Sequence, residues 1–240
     1  MRAKTALVLS GGGMFGAWQA GVWSALAPAF QPDLVVGASV GSLNGYAIAA
    51  GWSPQELCDF WRGAHVAAGF RRLPEMIQAL MAHRALHTEY AAVLVDLLRI
   101  QPRTFRGPAI TWRHLAASCA VPGILPPCRI DGRWYVDGGL LNPLPVWAAA
   151  ELGATRIVAL NALAEFPSAL LKPFVAAFRA VFGHNPKLRS DIDVLTIAPN
   201  GPLGSLADAL RWKRENIERW LAQGASDALA AKKHLQPEMY

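Results

Sequence analysis

The sequence predicts an α/β fold with a mostly parallel sheet and helices on both faces. Three observations predict it. Short apolar runs alternate with helix-period segments, the order that strand-helix-strand units require. Several of these runs are continuous in Val, Leu and Ile, as in strands buried on both faces. The 240-residue chain is 53% hydrophobic and 17% charged, which supplies a large core for one domain over residues 1–240.

Strands are expected at 5–10, 34–38, 92–98, 133–136, 156–161 and 193–197. Helices are expected at 16–26, 41–50, 54–66, 112–119, 144–152, 168–181 and 206–222. Asp131-Gly132 reads as a two-residue hairpin turn, giving one antiparallel pair. Residues 69–76 and 198–205 break the pattern and read as mobile loops. Asp191 and Asp193 read as a strand start rather than a metal site. Helix 168–181 is apolar around most of its circumference, with Lys172 and Arg179 its only charges and Pro173 in its first turn. It reads first as a helix packed on the sheet, and second as an interfacial or substrate-covering helix. Helix 206–222 reads as a packed surface helix with arginines outside.

The formal charge of +6 favours anionic partners such as a phospholipid surface. No nucleic-acid motif is present. Cys58, Cys119 and Cys128 form no CxxC, so neither a disulfide framework nor a zinc site is expected, and a reducing, cytoplasmic location fits. Peripheral membrane contact stays open. The N-terminal apolar run stops at Gly11, short of the roughly 7–15 residues of a signal-peptide core.

Two glycine motifs carry the chemistry. Gly11, Gly13 and Gly16, with Gly12 between the first two, satisfy G-x-G-x-x-G after a strand and before a helix. That context suits a dinucleotide fingerprint or a set of backbone donors for an oxyanion. The fingerprint wants an acidic residue at the end of the second strand, and Asp33 sits at its start. The second strand instead ends in Gly37-Ala-Ser39-Val-Gly41, a G-x-S-x-G nucleophile elbow. Both motifs would lie at the carboxyl ends of parallel strands, one offering a nucleophile and the other N–H donors.

Ser39 needs a base. His184 and His234 follow it in the chain order of a Ser-acid-His triad, but neither sits in a strand-end loop. His114 reads as a packed residue. Asp137 ends a strand before Gly138 and Gly139, and the prolines at 143 and 145 argue against a returning strand. It is the better candidate. A base with the ordinary Asp pKa of roughly 3.9 would keep the enzyme active well below pH 6.

The segments "LVLSGGGMFGAWQAGV", "VVGASVGSLNG", "HLAASCAVPGILPP" and "IDGRWYVDGGLLNPLPV", in this order, resemble the patatin-like phospholipases. The resemblance implies a three-layer α/β/α sandwich, a Ser39–Asp137 dyad, an oxyanion loop of Gly11, Gly12 and Gly13, and hydrolysis of lipid ester bonds. It implies no cofactor and no metal. Phe15 stands where that family commonly carries Arg or Lys, so a neutral glyceride, a small ester or a thioester joins phospholipid as an expected substrate. The interval between Gly45 and His114 is short for the family, which argues against a large lid. A noncatalytic acyl- or lipid-binding homologue is the alternative from another class.

Overall fold

The computed structural model describes residues 3–82, 85–168, 170 and 172–232. Among them, eight strands form one sheet: β1 (Thr5–Leu9), β2 (Leu34–Ala38), β3 (Glu89–Asp96), β4 (Gln101–Arg106), β5 (Cys128–Ile130), β6 (Arg133–Asp137), β7 (Arg156–Leu160) and β8 (Asp193–Ile197). Strands pair in the order β5-β6-β3-β2-β1-β7-β8, and β4 also pairs with β3. From β3 to β8 the pairs are parallel, while β4 and β6 run antiparallel to β3. The Asp131-Gly132 hairpin forms as the dipeptide requires, with both residues at positive φ.

Helices cover both faces: α1 (Gly16–Leu26), α2 (Val40–Ala49), α3 (Pro54–Arg62), α4 (Ala64–Ala67), α5 (Leu73–Met81), α6 (Trp112–Ser118), α7 (Val146–Glu151), α8 (Lys172–Phe182), α9 (Leu206–Leu210) and α10 (Arg214–Lys232). The two-residue period of each strand feeds two cores. Leu7 and Leu9 of β1 point into the larger one, with Trp18, Leu43, Leu57 and Trp220 from the helices. Ala6 and Val8 point the other way, onto Trp147, Ala148 and Ala149 of α7. The expected sandwich is therefore present, with one thick and one thin helical layer.

Several expectations change. Residues 69–76 are not a free loop: a 3-10 turn leads into α5, whose Leu73, Met76, Ile77 and Leu80 are buried at helical spacing. The 198–205 segment has no regular structure but is anchored, because Leu203 is buried and its carbonyl accepts the Trp220 indole N–H at 2.8 Å. The predicted helix 206–222 is two helices. Ser205 and Asp208 form a capping box on α9, and the chain is extended at Arg211 before α10 begins. Trp212 in that break donates to the Trp61 carbonyl at 3.0 Å. The predicted helix 54–66 is likewise divided, at Gly63. Finally, α8 contains no fully buried residue: it lies on the sheet through the half-buried Phe178, which packs on Val95 and Val136, while Phe174, Val181 and Phe182 are exposed.

What matters for the site is the shared strand β3. β4 occupies one edge of it from Ala91 to Asp96. β2 and β6 therefore share the opposite edge end to end, β2 ending at Ala38 opposite Val93 and β6 ending at Asp137 opposite Leu94. The last residues of two strands from distant parts of the chain are brought face to face.

Candidate active site

Ser39 directly follows β2 and caps α2, with φ 53° and ψ −132°. A side chain in this left-handed region is strained, and the strain is held by the packing around it. A Cβ on Gly37 would lie 2.2 Å from the Gly41 carbonyl oxygen, and one on Gly41 would lie 2.4 Å from that of Leu9. Only glycine at both positions lets strand, turn and helix close this tightly. The Ser39 N–H donates to Ser118 Oγ at 3.0 Å, and Ser118 Oγ donates to the Val93 carbonyl at 2.8 Å. Ser118, at the end of α6, thus ties the elbow to β3.

Asp137 is buried beside it. Its Oδ1 accepts the Gly139 N–H at 2.7 Å. Its Oδ2 is buried and has no hydrogen-bond partner among the described residues. The Ser39 hydroxyl is close enough to favour the carboxylate, but the two groups are adjacent without a full hydrogen bond. Burial raises the Asp137 pKa to about 6 against the opposing pull of Ser39, the Gly139 amide and the Arg179 charge. The expected ordinary Asp pKa therefore does not hold, because burial in the surrounding apolar core raises this carboxyl to about 6.

The glycine loop lies against Ser39. A Cβ on Gly11 would be 3.2 Å from the Ser39 Cβ. The Gly11 N–H is already bonded to the Pro143 carbonyl at 2.9 Å. This departs from the expectation of three free donors, since the loop is stitched to the segment after Asp137. The Gly12 and Gly13 amides donate to no partner among the described residues, and both glycines line the same cavity as Ser39. A buried polar chain braces the loop against the elbow helix. Gln19 donates to the Ser10 carbonyl at 2.7 Å, Asn44 donates to Gln19 and to the Gly16 carbonyl, and Trp61 donates to Asn44.

Phe15, the departure from the expected basic residue, does not face the cavity. It is buried edge-on against Trp220, ring centroids 5.1 Å apart. The cation beside this site arrives from α8. Arg179 donates to the carbonyls of Gly139 (3.1 Å) and Leu140 (3.3 Å) and exerts its charge on Asp137. The sequence showed Arg179 only as one of two charges on an apolar helix.

No histidine with a described side chain lines the cavity. His114 is packed against Phe105 and its pKa is lowered by burial. His184 stacks edge-on against Trp147. His234 lies outside the described residues. Asp33 accepts from Thr5 at the start of β1 and β2, the far end of the sheet from the glycine loop. Asp193 opens β8, and Asp191 pairs with Arg189. Cys119, which the sequence reading did not single out, lines the cavity beside the dyad. Burial, with Asp137 adding to it, holds its thiol well above the usual range, so it stays protonated.

The cavity has a volume of about 430 Å³. Met14, Leu43, Trp61, Leu125, Phe166 and Phe174 contribute to an apolar wall, and among the described residues Asp137 and Arg179 are the charged ones on it. The sequence profile of the patatin-like phospholipases matches residues 7–106 and 74–150, which together hold both glycine motifs and Asp137. The chain belongs to the patatin-like phospholipase family. A Mycobacterium tuberculosis protein described as an uncharacterized NTE family protein is 31% identical over 195 residues, covering 72% of this chain and 54% of that one. Human patatin-like phospholipase domain-containing protein 6 is 30% identical over 182 residues, covering 65% of this chain and 13% of that protein. A lysophospholipase of Aspergillus oryzae is 28% identical over 177 residues, covering 65% of this chain and 11% of its own. The chain thus spans about half the length of the mycobacterial relative and a small part of the others. Among solved structures, VipD from Legionella pneumophila superposes with a TM-score of 0.57 at 12% identity, over 98% of this chain and 67% of that one. This likeness concerns the fold alone.

Proposed function

We propose that this patatin-like chain is a serine lipid acyl hydrolase working through a Ser39–Asp137 dyad. The observation that carries the reading is the convergence of a strained serine elbow and a buried carboxyl on one apolar cavity. Asp137 accepts the Ser39 proton through Oδ2 as Oγ attacks the ester carbonyl. The Gly12 and Gly13 amides stabilise the oxyanion. Asp137 returns the proton to the leaving alkoxide, giving an acyl-Ser39 ester. It then takes a proton from water as the water oxygen attacks that ester, and returns that proton to Ser39 Oγ as the acyl–Oγ bond breaks, releasing the fatty acid and regenerating the dyad. A carboxylate with a pKa of about 6 is ionised at pH 7 and is a stronger base than an ordinary Asp.

The apolar wall favours a long acyl chain over a small ester, because it offers a chain-sized surface with few polar partners. The names of the family and of the fungal lysophospholipase relative support the same substrate class. Arg179 is a positioning residue: it holds the carbonyls of the turn that presents Asp137. The reading is tested by release of fatty acid from a monoacyl phospholipid and from a monoacylglycerol. Turnover of either by the wild type, lost in Ser39→Ala and Asp137→Asn, supports it. A folded wild type that binds these lipids without cleaving them refutes hydrolysis and leaves a lipid-binding protein.

A further inference from the structure

Exposed apolar side chains are not spread evenly over this molecule. Ten large hydrophobic residues are exposed among those described: three are in the β3–β4 turn, one is on β6, one follows α6, four are on or just before α8, and one is on α10. β3 runs three residues past the level of Ala38, so the β3–β4 turn stands beyond Ser39. That turn exposes Leu97, Leu98 and Ile100, with Leu98 81% accessible. The Leu97 N–H donates to the carbonyl of Trp134, whose ring is also exposed, at 2.9 Å. Isolated exposed apolar residues are ordinary, but a cluster of this kind around a cavity mouth is not.

The second part of the cluster is α8. It exposes Phe174, Val181 and Phe182, and Leu170 precedes it. Arg179 ties α8 to the turn after Asp137, and Phe178 packs on Val95 and Val136 of β3 and β6. The two apolar areas therefore adjoin. Ile124 is exposed and, like Phe174, also lines the cavity, so the cavity opens within this surface.

Charge selects the occupant. Arg99, Arg103, Arg129 and Arg133 are exposed on the strands and turns of this end. The acidic groups on those segments are the exposed Asp131, the buried Asp96, which pairs with Arg133 at 3.4 Å, the buried Asp137, and Glu89 at the opposite end of β3, which pairs with Lys4 and Arg106. α8 carries Lys172 and Arg179 and no acidic residue. An apolar patch bordered by arginines fits an interface of acyl chains under anionic headgroups.

We propose that the β3–β4 turn, Trp134 and the outer face of α8 form a docking surface for an anionic phospholipid bilayer. It delivers lipid from the bilayer to the cavity mouth. The inference deepens the proposed lipid hydrolysis, but docking itself requires neither Ser39 nor Asp137.

The test is co-sedimentation with phosphatidylcholine vesicles and with phosphatidylcholine–phosphatidylglycerol vesicles. Two double variants lie outside the cavity wall: Leu98→Asp with Val181→Asp, and Arg99→Glu with Arg129→Glu. The wild type and Ser39→Ala should bind the mixed vesicles better than the neutral ones, and salt should weaken that binding. The aspartate variant should lose partitioning by about tenfold or more. The glutamate variant should fall to the neutral-vesicle level. Both should keep wild-type turnover of a soluble short-chain ester. Absence of vesicle binding, or unchanged binding of both variants, overturns the proposal. So does a dimer, seen by sedimentation velocity, that the same substitutions dissociate in a chain that does not bind vesicles. Vesicle binding without ester turnover would refute the hydrolase and leave the docking surface standing. Ser39-dependent turnover without vesicle binding would do the reverse.

Discussion

Asp137→Asn should abolish turnover and stabilise the protein, with a stabilisation that depends on pH. Asp137 is buried, and its pKa rises from 3.8 to about 6 on folding. A tenfold change in proton affinity is worth about 1.4 kcal/mol, so keeping this group ionised in the folded state costs about 3 kcal/mol. The sign follows from the direction of the shift. Below pH 3.8 the group is protonated in both states and costs nothing. Between pH 3.8 and about 6 the folded state holds a proton that the unfolded state has released, and stability falls as pH rises. Above that window the full cost persists. An asparagine at 137 keeps an oxygen for the Gly139 amide and carries no charge to bury. Its NH₂ takes the place of the unpartnered Oδ2, a penalty independent of pH. Urea unfolding of both proteins at pH 4 and pH 8 isolates the charge contribution. The difference in stability, Asn minus Asp, should be larger at pH 8 by about 2–3 kcal/mol. A difference equal at the two pH values would refute the claim that Asp137 is a buried, titrating carboxyl.

Other perturbations test the remaining parts. The acidic limb of kcat/KM should fall with an apparent pKa near 6, and not near the roughly 3.9 of an ordinary Asp. Arg179→Gln removes a charge that favours the carboxylate, so a pH–rate profile should show that limb moved to higher pH. Gly41→Ala places a methyl 2.4 Å from the Leu9 carbonyl oxygen, and should cost about 3 kcal/mol or more by denaturant unfolding, with loss of turnover. Ser118→Ala leaves the buried Ser39 N–H without its acceptor, and should cost about 1–3 kcal/mol and lower kcat rather than raise KM.

The parts of the fold legible in the sequence were those with local signals. β1, β2 and α1 show continuous apolar runs or a glycine start, and their bounds come out within a residue. β4 was missed because its six residues, Gln101–Arg106, include Pro102 and alternate weakly, as an edge strand can. α5 was missed because Pro74 reads as a breaker when it in fact stands in the helix's first turn. The strand-end positions of Ser39 and Asp137 were legible, because Ser39 lies between Gly37 and Gly41 after an apolar run and Asp137 precedes Gly138 and Gly139. What was not legible depends on long-range contacts. The Gly11 amide is claimed by Pro143, the Asp137 pKa is set by burial, and Phe15 is buried against Trp220. Arg179 reaches the site only because α8 lies over the turn after β6.

The measurement closest to the central claim is covalent labelling with a fluorophosphonate carrying a long alkyl chain, followed by peptide mass spectrometry. The account predicts one adduct, on Ser39, that does not form in Ser39→Ala and forms slowly in Asp137→Asn. An adduct on another residue, or none on the folded wild type, would contradict it.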